Sequence, residues 1–459
     1  MAKVKTIIQS SSGRPRWILD AVLMPARRPR GKDKAVQQPQ SITIDHANFT
    51  LSKVFYAFFP FVAERHAIFR KRLSGLPQPW TQEPILEQFP FTNVFRVLDR
   101  NSQYILRNVI RKGSQALNDM FFRVLLFRTF NKIETWEMLE KKLGPLNWKS
   151  FSLEKYERVL ASARTALYNA AYIIPSPNLG HEKNYQNHLR MIETMMAVDR
   201  LPTQLGKLKH LKDVHGRIRM YLSMGDFMAM QLVLDLNMMP HYNWSEDEWV
   251  ALGPGSRECL KKMFGPGIRG REVSAIRYIR DNQHSWFIHC GVTPDRVPRL
   301  HESRPPGLTM VDIEHALCEC EKYSRGKFPT IKGKRVTVGK RIFAPRDGTV
   351  TADIPENWLN PAANHEEQFE CPPPVDGTDD TYEVSHIVSE NKSQYLIRWK
   401  GYGPESDSWI PAHRLGEGAG VLIDEWNQTK ARINEGLLER AASQHDKYML
   451  IKRLSRKTI

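Results

Sequence analysis

Gln394-Tyr-Leu-Ile-Arg-Trp-Lys-Gly-Tyr402, followed by Asp407-Ser-Trp-Ile-Pro411, decides the architecture of the C-terminal part of the chain. Side chains alternate across a strand, so Tyr395, Ile397 and Trp399 share one face. Upstream, Thr381-Tyr-Glu-Val-Ser-His-Ile-Val388 has the same β-rich character, and Asn391 and Gly403-Pro404 mark turns. The spacing predicts a three-stranded antiparallel sheet. Val421, Leu422 and Trp426 recur at helical spacing and predict a helix over 420–438 that caps a sheet too small to stand alone. Trp409 is expected in the core.

Working outward, the composition changes in blocks. Residues 326–380 carry prolines, glycines and first basic, then acidic runs, the signature of a linker. Residues 41–325 show apolar positions at three- and four-residue spacing. Breaks fall at Pro77-Gln-Pro79, Pro175-Ser-Pro177 and Gly253-Pro-Gly255. The organisation expected is a basic flexible arm (1–40), a mostly α-helical domain (41–325), the linker (326–380), a small α+β module (381–438) and a basic tail (439–459).

The net charge of +17 is unevenly placed. Residues 1–40 carry +7, 325–347 carry +7, 348–380 carry −8 and the tail from Lys430 carries +5. Such basic segments suit a polyanion, and nucleic acid fits better than a membrane surface. The longest apolar stretch, Phe55–Ala63, has nine residues and contains Pro60, whereas a spanning helix needs about 20. No secretory h-region follows Met1. Five cysteines, with Cys318-Glu-Cys320 the only close pair, give neither a disulfide framework nor zinc-ligand spacing. No metal and no cofactor is expected. Lys332-Gly-Lys-Arg335 and Lys340-Arg341 suit nuclear import.

The segment from Thr381 resembles a chromodomain over about 55 residues. The resemblance implies binding of a methylated histone lysine. Its aromatic cage falls by motif position on Tyr382, Trp399 and Tyr402. A trimethylammonium group keeps its charge, is poorly hydrated, and is drawn to π faces. Glu405 or Asp407 is expected as a carboxylate at the rim, and the peptide as an added strand. The sequence departs from the family in Ile410, where an acid is usual, and in the longer turn Gly403–Asp407.

Between residues 93 and 111, Arg96, Arg100, Gln103, Arg107 and Arg111 fall in a stripe about 80° wide on one continuous helix. Such an Arg ladder suits phosphates. Gly225 begins a turn into a helix, similar to the hairpin of helix-hairpin-helix DNA glycosylases, which carries more glycines. Asp247 and Glu248 follow at about the distance of those enzymes' catalytic Asp. A carboxylate there stabilises developing positive charge.

Several motifs together resemble the helical domain of 5-hydroxymethyluracil DNA kinases and glutamyl/putrescinyl-thymine pyrophosphorylases. They are Phe91–Arg100, Leu126–Asn131 with Glu134-Thr-Trp136, Gly225–Gln231 with Asp235, Gly253–Ser256, and Asp312–Glu319 with Lys322. The resemblance implies a glycosylase-like helical fold acting on modified thymine in DNA, with the base flipped out. Its polar candidates are Asn93, Arg96, Asp99, Arg100, Asn131, Gln231, Asp235, Glu314 and Lys322. Asp99, Asp235, Asp247 and Glu314 are the catalytic candidates. Arg96, Arg100, Arg107, Arg111 and Gly225 are those for DNA phosphate. No Gly-x4-Gly-Lys-Ser/Thr loop is present, which argues against phosphoryl transfer by this chain.

Three readings stand. One is a nuclear base-processing enzyme with a chromatin reader, with carboxylates converging beside the Arg stripe. Another is a non-catalytic chromatin- and DNA-binding adaptor without such a pocket. The third is a mobile-element-derived targeting protein. The partners expected are a methylated histone tail and DNA, and not a membrane.

Overall fold

The computed structural model describes residues 40–344, 350–359, 382–415 and 419–457. The arm expected over residues 1–40 lies outside them save for Gln40, as do Cys371 and the acidic run beyond residue 359. The chain first forms a hairpin, β1 (Ser41–Ile44) and β2 (Ala47–Thr50), where the sequence predicts helix. The cause is local: Asp45 and His46 both take positive φ (44° and 62°), as a two-residue hairpin turn demands.

Helices follow: α1 (Lys53–Leu73), α2 (Pro84–Gln88), α3 (Arg100–Tyr104), α4 (Leu117–Phe130), α5 (Ile133–Leu143) and α6 (Leu153–Ala161). Then come α7 (Asn184–Glu193), α8 (Leu201–Leu205), α9 (Leu211–Arg219), α10 (Asp226–Leu236), α11 (Pro254–Phe264), α12 (Glu272–His289) and α13 (Met310–Lys327). Two helices form the centre. Residues Met120–Phe130 of α4 and Met228–Leu236 of α10 are all buried, as helices with apolar residues on every side tend to be. Side-chain caps fix other starts. Ser52 Oγ accepts from Val54 N (3.1 Å) at α1, and Thr309 Oγ1 from Asp312 N (3.2 Å) at α13.

The C-terminal module is a three-stranded antiparallel sheet of β3 (Val384–Glu390), β4 (Gln394–Trp399) and β5 (Ser408–Pro411), then helix α14 (Gly420–Leu438). The pairs Val384↔Trp399 and Leu396↔Trp409 set the register. Trp409 is 42% exposed, against the core position expected, because it lies on a short edge strand.

Leu396, Ile397 and Arg398 are all buried, because the sheet packs on the helical body. Arg398 Nη2 donates to Asp213 Oδ1 of α9 at 2.9 Å. Lys212 Nζ lies 2.8 Å from Asp407 Oδ2. Helix α14 begins against the sheet, with Trp426 Nε1 donating to Glu390 Oε2 (2.9 Å). It ends inside the helical core, where Ile433 and Leu437 are fully buried.

Two further segments differ from expectation. The basic tail holds a further helix, α15 (Gln444–Lys457), anchored by buried Leu450. Residues 350–359, placed by sequence in the linker, lie along the helical body. There Gln103 Nε2 donates to Asp353 O (2.8 Å) and Trp358 Nε1 to Asn237 O (3.1 Å). No helix among the described residues is long and apolar enough to cross a membrane.

Gly216 of α9 touches the sheet so closely that a Cβ there would stand 1.9 Å from Val388 O. That backbone atom cannot move alone. Gly216→Ala is therefore expected to lift β3 off α9. Amide hydrogen exchange should quicken across residues 384–399 while α4 and α10 stay protected. Unchanged exchange in β3 and β4 would refute this docking.

Candidate functional site

The C-terminal module assembles a ring of aromatics. Tyr382 enters β3, Trp399 closes β4, and Tyr402 sits in the turn beyond. The ladder continues past the strand end, with Lys400 N donating to Glu383 O at 2.9 Å, which holds Tyr382 opposite the other two. The Tyr382 ring lies 6.2 Å from Trp399 at 64° and 6.1 Å from Tyr402 at 67°. Faces set at such angles form walls of a cation-sized recess. Tyr402 is buried, while Tyr382 and Trp399 are half-buried and reachable. Trp399 and Tyr402 also line a cavity of about 590 Å³ shared with Lys207, Lys209 and Arg217 of the helical body.

Asp407 stands elsewhere. Its side chain is fully buried and bound to Arg398 and Lys212, so it serves the module's docking and is not at the rim. Glu405, the other carboxylate considered, is exposed.

In the helical body the Arg stripe is divided. Asp99 takes an extended conformation (φ −70°, ψ 150°), so the helix starts only at Arg100 and widens to π-type turns over Ile105–Ile110. Arg96 precedes it in a tight turn and points inward. Its Nη2 lies 2.7 Å from Asp235 Oδ1, and its Nε donates to Gln231 Oε1 at 3.2 Å. Arg128 binds the other oxygen of Asp235, which has no exposed surface. Arg107 and Arg111 both pair with Asp353, the latter at 2.7 Å. Arg100 is exposed. Gly225 caps α10 in the open, with nothing within 4 Å of a Cβ placed there.

The remaining carboxylates are each engaged. Asp99 Oδ1 accepts from Asn93 N (2.8 Å), and Asp99 Oδ2 lies 3.1 Å from His315 Nε2. Burial opposes a charged His315, but Asp99 outweighs it and raises the pKa. Glu314 Oε1 accepts from Gly253 N (2.8 Å) and Ser256 Oγ (2.6 Å). Asp247 pairs with Arg280 at 2.6 Å and accepts from Met310 N at 3.1 Å. Asp99 and Asp235 thus both bear on Arg96, while Glu314 and Asp247 serve other contacts.

Sequence reasoning missed Arg128, Glu246 and Asp312. Arg128 had a signal: a charge set within the apolar run Val124–Phe130 needs a partner if that run is buried. Glu246 beside Asn237 (3.0 Å) is pushed up to about 7, chiefly by burial and then by Asp312. Burial raises Asp312 as well.

Residues 52–333, more than half of the chain, match the family model "5-hmdU DNA kinase, helical domain". The chain belongs to this family. Residues 384–429 match the chromo domain, so the sheet module is a chromodomain. The 5-hmdU DNA kinase of Bacillus phage SP10 is 23% identical over 230 residues, 45% of this chain and 35% of that protein. Chromodomain Y-like protein 2 of Mus musculus is 47% identical over 53 residues, 10% of each chain. A chromatin-associated protein of Cryptococcus neoformans is 33% identical over 54 residues, 11% of this chain and 24% of that one. The chain therefore spans about a third of the phage relative and a quarter or less of these chromodomain relatives. No solved structure matches.

Glu246 offers a pH test. An acid whose folded pKa lies above its unfolded value holds its proton longer in the folded state. Stability from this group is full below about pH 4.5 and is lost as pH rises toward about 7. Glu246→Gln should match the native chain in urea titrations at the low end of this window and exceed it at the high end. Equal pH profiles for the two proteins would contradict the assignment.

Proposed function

We propose that this protein is a nuclear, chromatin-associated reader. Its chromodomain binds a methylated histone lysine, and its helical domain engages DNA. The observation that carries the reading is the ring of Tyr382, Trp399 and Tyr402, with centroids 6.1–6.2 Å apart about Tyr382. The rings attract a methylated ammonium, and the half-buried Trp399 supplies the largest face. Membership of a family named for a DNA-modifying enzyme, together with the basic surplus of the chain, supports a DNA role.

Of the base-processing and adaptor readings, the geometry favours the adaptor. Asp235 is locked between two buried arginines, and Glu314 and Asp247 hold backbone N–H groups. The four catalytic candidates therefore do not present free carboxylates to one open pocket.

The cage is tested by fluorescence polarisation with a trimethyl-lysine histone peptide and its unmodified twin. The native chain should prefer the methylated peptide, and Trp399→Ala should weaken it by about tenfold or more. Equal affinity for both peptides, or an unaffected Trp399→Ala variant that keeps its native circular dichroism, would sink the proposal.

Asp353 tests the DNA face. It neutralises Arg107 and Arg111. Asp353→Asn should free both for phosphates, tightening duplex binding and steepening its salt dependence, each new contact adding about 0.9 to the log–log slope. An unchanged affinity and slope would remove these arginines from the DNA face.

A further inference from the structure

A cleft of about 410 Å³ lies on the helical body, and its lining includes neither the cage aromatics nor Arg96, Arg128 or Asp235. Helix α1 supplies one wall. Arg65, Ile68 and Arg72 follow at spacings of three and four residues and so share a face. Half-buried aromatics from the chain beyond the helix, Trp80, Phe89 and Phe91, form the rest, and Phe343 of the basic segment closes it.

Arg65 is the telling residue. It is only 7% exposed. Its Nη2 donates to Phe91 O (3.1 Å) and Asn93 Oδ1 (2.7 Å), and its Nε to Phe91 O (3.3 Å). Its Nη1 is buried and has no hydrogen-bond partner. A buried guanidinium N–H without an acceptor costs free energy that an incoming anion restores. Burial pulls its pKa down to about 10, with Asp99 too distant to form an ion pair yet raising it in part. At neutral pH it remains a cation.

Arg72 is the second cation. Its Cζ lies 5.1 Å from the Trp80 ring centre and 5.9 Å from that of Phe343. Lying over these rings, it makes no ion pair or side-chain hydrogen bond among the described residues, and its N–H donors stay available. The rings are held in advance. Trp80 Nε1 donates to Leu76 O (2.6 Å), Lys71 Nζ donates to Trp80 O (2.7 Å), and Phe343 N donates to Gln88 O (2.8 Å). The one carboxylate on the lining, Glu87, is exposed.

The unpartnered Nη1 of Arg65 and the unpaired guanidinium of Arg72 ask for an anion, and aromatic walls ask for a flat apolar ring. The volume admits one such unit, near the lower end of ligand pockets. We propose that this cleft binds a single nucleotide, its phosphate on Arg65 Nη1 and the N–H donors of Arg72, its base against the aromatic wall. The chemistry is the same whether the nucleotide is free or part of a single DNA strand. The site is independent of the methyl-lysine reading.

Isothermal titration calorimetry of the full chain with adenosine and thymidine 5′-monophosphates, their nucleosides, inorganic phosphate and a short single-stranded oligothymidylate tests it. A monophosphate is expected to bind at least about tenfold more tightly than its nucleoside or phosphate alone. Arg65→Met removes the orphan N–H but also three structural hydrogen bonds. Arg72→Gln and Trp80→Ala, at half-buried positions, serve as the folded controls. Arg72→Gln should weaken the monophosphate and spare the nucleoside, whereas Trp80→Ala should weaken both. Monophosphate binding of this pattern assigns a free nucleotide, and the same pattern with the oligonucleotide alone assigns a DNA strand. Phosphate binding as tightly as the monophosphate, or binding indifferent to Arg72→Gln and Trp80→Ala, or no heat at millimolar ligand, overturns the proposal.

Discussion

A buried ion network fastens the chromodomain to the helical body, and the placement of the aromatic cage against that body depends on it. Asp213 of α9 and Arg398 of β4 are 6% and 3% exposed. Their contact at 2.9 Å is extended by Asp407 and Lys212, and His386 lies 3.2 Å from Asp213. Burial alone would raise Asp213, yet His386 and Arg398 outweigh it and the pKa falls. Such a network gains little against an apolar contact of the same shape, but losing one member leaves a buried charge that costs about 3–5 kcal/mol. It therefore specifies a single docked arrangement more than it adds stability. The three-stranded sheet needs that cover, being too small to bury its own faces.

The helical body repeats this logic around Asp235. One fully buried carboxylate is divided between Arg96 and Arg128. Burial lowers the pKa of Arg128, while in Arg96 the nearby Asp235 outweighs burial and raises it. Glu246 and Asp312, close by, keep their protons more readily than exposed acids do. A polar knot thus ties α4 and α10 to the turn before α3 and orients it. Charged residues in the heart of an apolar bundle here find their partners in one another.

The chromodomain was largely legible in the sequence because its signals are local. Alternation in Tyr395, Ile397 and Trp399, the turns at Asn391 and Gly403-Pro404, and the helix Gly420–Leu438 all appear where the pattern puts them. The role of Asp407 was not legible, because its partner Lys212 lies in another domain. Arg96 shows the same limit. Helical arithmetic joins it to Arg100 and Arg107, but the extended Asp99 breaks the helix and Asp235, 139 residues away, draws Arg96 inward. The hairpin at Ser41–Thr50 turned on two positive φ angles, which residues such as Asp and His permit without advertising. Helix α15 has too few apolar positions for a periodic signal and depends on Leu450 finding the core.

Docking changes how two binding surfaces on one chain cooperate. A flexible linker lets each site search a volume, and the gain follows from linker length. Here α14 runs from the sheet into the helical core, and Gly436 packs against Thr194 and Val198. The distance and angle between the cage and the helical body are then fixed by an interface. A rigid pair gains most when its two targets already stand at the matching separation and loses the gain when they do not. On the proposed function, the docked pair would discriminate between arrangements of a histone tail and its neighbouring DNA, a selectivity that neither module has alone.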